Sequence, residues 1–432
     1  MTEIVWSATG SLAALPASAR AALTERASPD AGALRDTVSA IIQRVREHGD
    51  AALIAYAREF DGLDLSSLEV PRPTWDAALA RIDPAVRDGL VHAERNIAAV
   101  HAAFAPASGE CTTPDGVRIG RRVDPLDLVG VYAPGGRAAY PSSVLMGVVP
   151  ARIAGVREII VCSPPRSDGS PEDVVLAAAA VGGAHRVFAI GGAGAIAAMA
   201  HGTASVPRVD RIVGPGNAFV AEAKMQVANA VGIDLPAGPS ELLVLADDSA
   251  SPAHVAVELI AQAEHDPRAA VVAVGTHARW VEALRIEVER QVDSQPKAAI
   301  VREALRSRGA ALVARDIDEA IAFANGYAAE HVLLTVRNPY AWLARLRNAG
   351  TVFLGAAPSV AFGDYMTGAN HVLPTGGLAR SYSGLSPLDF VRWTTYQIID
   401  RGAAARLAPH TEALALAEGL PAHAAAARHW RA

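Results

Sequence analysis

The residues suited to acid, base or metal chemistry are scattered along the 432-residue chain: Gln262 and His265, Glu330 and His331, Asp364 and His371, Glu418 and His423. Ser251-Pro252 reads as an N-cap followed by proline at the first helical position. The helix it opens runs through Val255, Leu259 and Ile260. Gln262 and His265, three apart, then share one face near its end, where a cation also meets the negative end of the helix dipole. Glu330-His331 sets a carboxylate beside an imidazole, a pairing that can supply both a base and an activator of water. Neighbours in a strand point to opposite faces, so both reach one site only if the strand begins irregularly. Asp364, in Phe362-Gly363-Asp364-Tyr365, precedes Asn370-His371 in a polar, glycine-containing loop that suits a lid or a surface connection. Glu418 and His423 lie near the end of a helical tail.

Taken singly, each of these reads better as a solvated or hydrogen-bonded side chain than as a ligand. The chain has no His-x-x-x-His pair and no Cys-x-x-Cys, so spacing alone does not identify zinc, and a cysteine-rich structural site is excluded. Cys111 and Cys162 lack a nearby histidine or basic context. Cys162, after a β-branched run, is expected to be a buried strand residue and not a nucleophile.

The elements that must position these residues fall into three stretches. From about Asp36 to Ala103, Val38, Ile41, Ile42 and Val45, then Leu53, Tyr56 and Phe60, recur at helical spacing, punctuated by Pro71, Pro73 and Pro84. Short apolar runs follow at Leu128–Tyr132, Glu158–Cys162, Arg186–Ile190 and Arg211–Val213, most of them ending in glycine, with helical patterns between. A second series comprises Leu242–Leu245, Ala270–Val274, Ala310–Val313, His331–Thr335 and Thr351–Leu354. Strands alternating with helices predict two parallel α/β units. The tail beyond Ser381 reads as mainly helical.

Three glycine clusters at strand ends are shaped to approach a phosphate: Gly135-Gly136, Gly191-Gly192-Ala193-Gly194 and Gly214-Pro215-Gly216. The stretch from Gly192 to Ala197 even fits G-x-G-x-x-A, but no acidic residue stands at the end of a following strand as the fingerprint requires. A tight strand-to-helix turn explains that match equally well.

Bulk properties narrow the classes. A 51% hydrophobic, 19% charged composition supports two cores. A net charge of −6 without a basic stripe argues against nucleic acid. No apolar run reaches the roughly 20 residues that span a bilayer, and the first 20 residues lack a secretory pattern. Two cysteines cannot build a disulfide framework, and a reducing cytoplasm is expected.

Read together, the segments resemble the histidinol dehydrogenases over nearly the whole chain. The resemblance rests on Tyr132–Gly136, Tyr140–Met146, Gly214–Val220, Ile233–Glu241, Gln262–Asp266 and Thr367–Thr375. It implies a four-electron oxidation of L-histidinol through L-histidinal to L-histidine with two NAD+. It implies one zinc per subunit on Gln262, His265, Asp364 and His423, the last given by the partner in a domain-swapped homodimer. Glu330 and His331 fall on the catalytic pair. The resemblance further implies substrate contacts at Ser240, Glu418, His331 and the metal ligands, and NAD contacts at Tyr132 and Asn217 and at position 194. There the family commonly has glutamine and this chain has Gly194, so the G-x-G-x-x-A match is an accident of that substitution. Ala329 stands where the family usually has proline.

The expected organisation is an N-terminal helical extension (1–27), a discontinuous main α/β domain carrying the metal site (28–131 and 242–381), an inserted Rossmann-like NAD domain (132–241) and a C-terminal helical tail (382–432). Two other readings stand beside it. One is a paralogous zinc- and NAD-dependent dehydrogenase of another small polyol. The other is a metal-dependent hydrolase or binding protein that has lost its cofactor, favoured only by Gly194.

Overall fold

A computed structural model describes residues 4–26, 32–135, 139–235, 238–355 and 357–431. Its first six-stranded sheet is parallel throughout. In spatial order its strands are Ala8–Ser11, Gly309–Val313, Ala270–Gly275, Glu241–Ala246, His331–Thr335 and Thr351–Leu354. The second runs Glu69–Val70, Arg186–Ala189, Glu158–Ser163, Leu128–Tyr132, Arg211–Val213 and Gly232–Ile233, parallel except for the short first strand. The apolar runs of the sequence thus become central strands. Leu242–Ala246 and Ala270–Gly275 are buried on both faces, as parallel strands covered by helices must be.

The structure groups the chain differently from the expected division. The helices Gly32–His48 and Pro84–Ala103 bury Val38, Ile42, Val45, Leu90 and Ile97 against the second sheet, so residues 32–103 share that domain's cores and not those of the first sheet. Within the expected helical extension, Ala8–Ser11 is an edge strand of the first sheet, paired with Gly309–Val313. The tail is not wholly helical. Val391–Ile398 pairs antiparallel with Arg118–Pro125, which pairs with Gly109–Thr112, in a small third sheet. Alternating Thr, Tyr and Trp in that segment favour an extended chain over a helix.

Beyond that sheet the helices Arg401–Ala417 and Pro421–Arg428 pack on each other. They leave Leu414, Leu416, Leu420 and Trp430 exposed. No helix among the described residues is long and apolar enough to cross a membrane.

Candidate active site

The strand order of the first sheet reverses between Glu241–Ala246 and His331–Thr335, and the reactive residues gather at the amino ends of these two strands. His331 is the first residue of its strand and Glu330 occupies a bend just before it. That irregular start brings both side chains to one place: Glu330 Oε2 lies 3.4 Å from His331 Nδ1. Each residue is less than 10% exposed.

The bend is forced from both sides. Ala328, which ends the helix Ile317–Tyr327, is left-handed at φ 54° and ψ 60°, a costly conformation for a residue with a Cβ. On the other side, a Cβ at Gly350 would sit 2.5 Å from Glu330 O, so only glycine lets the neighbouring chain close over the bend.

Glu241, the first residue of the adjoining strand, holds both members of the pair through its backbone. Its N–H donates to Glu330 Oε2 at 2.8 Å, and its carbonyl accepts from His331 Nδ1 at 3.0 Å. A carbonyl can only accept, so Nδ1 carries the proton toward Glu241 and Nε2 is the nitrogen turned away from that backbone. His331 Nε2 points toward Asp364 Oδ1 at 3.7 Å. Burial alone would lower the His331 imidazole. The Glu330 and Asp364 carboxylates outweigh it and raise the group to about 10. Burial alone would raise the Asp364 carboxyl, but the nearby His331 imidazole outweighs it and lowers the group.

Asp364 lies in a short helix, Val360–Tyr365, and not in the loop its sequence suggested. Val360 N donates to the buried Glu258 Oε2 at 3.0 Å, tying this helix to the helix Pro252–Ala263 that carries Gln262. Gly363 packs directly on Phe353, where a Cβ would approach the ring to 2.5 Å. Phe353 in turn lies against the His331 ring at 5.9 Å. His371 Nδ1 donates to Asp364 O at 2.8 Å, and burial lowers its imidazole.

Gln262 and His265 sit where the sequence put them, in the last turn of the helix opened by Ser251 and just beyond it. Gln262 is 3% exposed, and its amide makes no side-chain hydrogen bond among the described residues. His265 is exposed, within electrostatic reach of Asp364. A side-chain amide, an imidazole and a carboxylate are three donors of the kind a tetrahedral or expandable zinc site uses. Among the described residues no three His, Cys, Asp or Glu already enclose such a site. Glu418 and His423 are exposed on the tail and take no part in this cluster within one chain. Ser240, half-buried, precedes Glu241 and fixes its backbone by accepting from Ala270 N at 3.0 Å.

The glycine loops lie at the carboxyl ends of the second sheet. Tyr132 is buried there; its hydroxyl accepts from Gly192 N at 3.0 Å, and burial pushes it up to about 12. Gly214, at φ 113°, packs its backbone on Tyr132 so closely that a Cβ would meet Tyr132 O at 2.1 Å. Its peptide is gripped by a buried ion pair: Asp234 accepts from Gly214 N at 2.6 Å, and Lys224 donates to Gly214 O at 2.9 Å. Asn217 spends its side-chain oxygen capping the helix Ala218–Val227, which leaves its amide NH2 exposed. Gly194 is buried in the helix Gly192–His201; a Cβ there would lie 3.3 Å from Leu53. The two sides meet where Asn370 Nδ2, next to His371, donates to Met146 O in the helix Pro141–Ile153 at 2.8 Å. Gly136, Pro236 and Ala237, part of the segments singled out in the sequence, lie outside the described residues. Cys162 is buried, and burial raises its thiol.

Known proteins share this sequence pattern and fold. The family model for histidinol dehydrogenase matches residues 24–431. The chain belongs to the histidinol dehydrogenase family. It is 48% identical to the histidinol dehydrogenase of Natronomonas pharaonis over 416 residues, 96% of this chain and 97% of that one. It is 47% identical to that of Methanosarcina mazei over 390 residues, 90% of each. The crystal structure of the histidinol dehydrogenase from Elizabethkingia anophelis superposes with a TM-score of 0.94 at 34% identity, covering 98% of this chain and 97% of that one.

The structure adds Arg26, Glu241, Glu258, Lys224 and Asp234 to the residues that the sequence singles out. A hint was available for two of them. Glu241 is a charge opening an otherwise apolar strand, and Lys224 is one of only two lysines in a chain whose basic residues are otherwise arginine.

Proposed function

We propose that this protein oxidises L-histidinol through L-histidinal to L-histidine with two NAD+. The observation that carries the reading is the buried Glu330–His331 pair, with His331 Nε2 turned toward Asp364 and away from the backbone that holds Nδ1. In the first oxidation His331 Nε2 takes the alcohol proton while the carbinol hydride leaves. In the second, Glu330 takes a proton from water as its oxygen bonds to the aldehyde carbon, and the hydrate gives up its own hydride. Bound NAD+ supplies the hydride acceptor. No thiol is needed, in keeping with the inert Cys162.

Gln262, His265 and Asp364, completed by His423, would hold one zinc per subunit, which when bound orients the imidazole and amine of the substrate. Asp364 committed to a cation would give up its share in holding a proton on His331, which favours the neutral imidazole that acts as a base. Ser240 and Glu418 would contact substrate, with Glu418 facing its ammonium; Tyr132, the backbone at Gly194 and Asn217 would line the NAD site. The exposed apolar side chains of the tail support a homodimer in which His423 and Glu418 serve the other subunit's site.

The substrate is tested with L-histidinol beside a diol lacking imidazole: NAD+ reduction should require the imidazole and cease on chelation. Equal turnover of the diol would favour a polyol dehydrogenase. The shared site is tested by mixing His423→Ala with Glu330→Ala protein. Recovered activity after subunit exchange is expected, and none would mean that each chain completes its own site.

A further inference from the structure

We propose that Arg26 and Glu241 are positioning residues for both catalytic groups, so that the segment just after the helix Ala17–Thr24 sets the geometry of Glu330 and His331 through the first residue of the strand Glu241–Ala246. The proposal rests on the reading of that pair as the reacting groups.

Arg26 lies far from the site in sequence, yet its guanidinium forks onto Glu241, Nε to Oε1 at 2.7 Å and Nη2 to Oε2 at 3.0 Å, with both side chains 2% exposed. Nη2 also donates to Tyr327 O at 2.9 Å and Nη1 to Leu23 O at 3.3 Å, and the plane covers the Tyr327 ring at 3.6 Å. Arg26 therefore ties the last residue of the helix before the catalytic bend to the first residue of the strand beside it.

Glu241 passes the constraint on. Its carboxylate also accepts from Gly376 N at 2.8 Å and Glu330 N at 3.4 Å, while its own backbone N–H and C=O take Glu330 Oε2 and His331 Nδ1. One residue thus fixes the carboxylate, the ring and the intervening peptide of the pair. Two charges this deeply buried give little net stability over an apolar pair of the same shape. A planar five-donor fork gives orientation, and lysine cannot reproduce it. Displacing reacting groups by about 1 Å costs as much as roughly 100-fold in rate.

The test compares Arg26→Met, Arg26→Lys and Glu241→Gln in the full-length protein loaded with zinc, with kcat counted per metal-loaded site. Arg26→Met and Glu241→Gln should lower kcat roughly 10- to 100-fold with KM nearly unchanged. The kinetic isotope effect with carbinol-deuterated L-histidinol should rise, because the chemical step becomes slower than product release. Arg26→Lys should recover part of the loss. A merely structural role removes active molecules and leaves the isotope effect of the survivors at its wild-type value; that outcome, or unchanged kcat, overturns the proposal. If Arg26→Met fails to load metal, the isotope effect of Arg26→Lys decides by the same criterion. Glu330→Gln and His331→Asn run alongside: activity retained in these would sink the reading of the pair, whereas their loss with Arg26→Met unaffected would sink only the positioning role.

Discussion

The second sheet offers the carboxyl ends of its strands as a binding edge, tipped with Gly191, Gly192 and Gly214, whereas the first uses the amino ends of its strands, tipped with Glu241 and His331. The second sheet's edge follows the rule for open α/β sheets and is built from backbone that needs the absence of side chains. The first sheet's edge departs from that rule and is built from buried side chains that hold one another. Backbone sites tolerate variation in nearby side chains, while a network converging on Glu241 leaves little room for change. The difference implies that substitutions on the first sheet cost turnover and those on the second cost nucleotide affinity.

The largest effect should come from the pair itself. His331→Asn or Glu330→Gln should lower kcat roughly 10²- to 10⁴-fold, the usual worth of a positioned acid or base. His331→Asn should block the first oxidation and Glu330→Gln chiefly the second, which assays starting from L-histidinol and from L-histidinal separate. Next, Gln262→Ala removes the amide proposed as a metal ligand. Zinc affinity measured by competition should fall at least the roughly 10- to 100-fold that loss of an outer-shell partner costs, with NAD+ binding untouched.

On the second sheet, Gly194→Gln introduces a Cβ 3.3 Å from Leu53 Cδ2, a flexible end that can yield. One added amide hydrogen bond, worth about 0.5–1.5 kcal/mol, should tighten the KM for NAD+ roughly 2- to 10-fold and leave kcat alone. A change in kcat would mean that the two regions are not separable.

The smallest effect belongs to Ala328→Gly. It relieves a left-handed alanine worth about 1–2 kcal/mol, but frees the unfolded chain by about 0.4–1 kcal/mol. Thermal unfolding should report a net gain within about 1.5 kcal/mol.

Legibility in the sequence follows the same division. Central strands, the Ser251-Pro252 helix start and the glycine turns could be read because local periodicity and turn chemistry announce them. Asp364 in a short helix could not, since that helix depends on Glu258 and on Phe353 meeting Gly363, contacts 102 residues apart in the first case. The irregular start at Glu330 was a stated condition, and Ala328 and Gly350 supply it. The assignment of residues 32–103 to the second sheet was also hidden, because an amphipathic helix shows which face is buried but not against what. Arg26 was illegible for the same reason: nothing near it in sequence indicates that its partner is residue 241.

Two successive oxidations at one active site by the pair Glu330 and His331 are tested most directly by the NADH yield. Zinc-loaded enzyme given limiting L-histidinol and excess NAD+ should release two NADH for each L-histidinol consumed, with L-histidine as the only final product. One NADH per substrate with L-histidinal accumulating, or none at all, would contradict it.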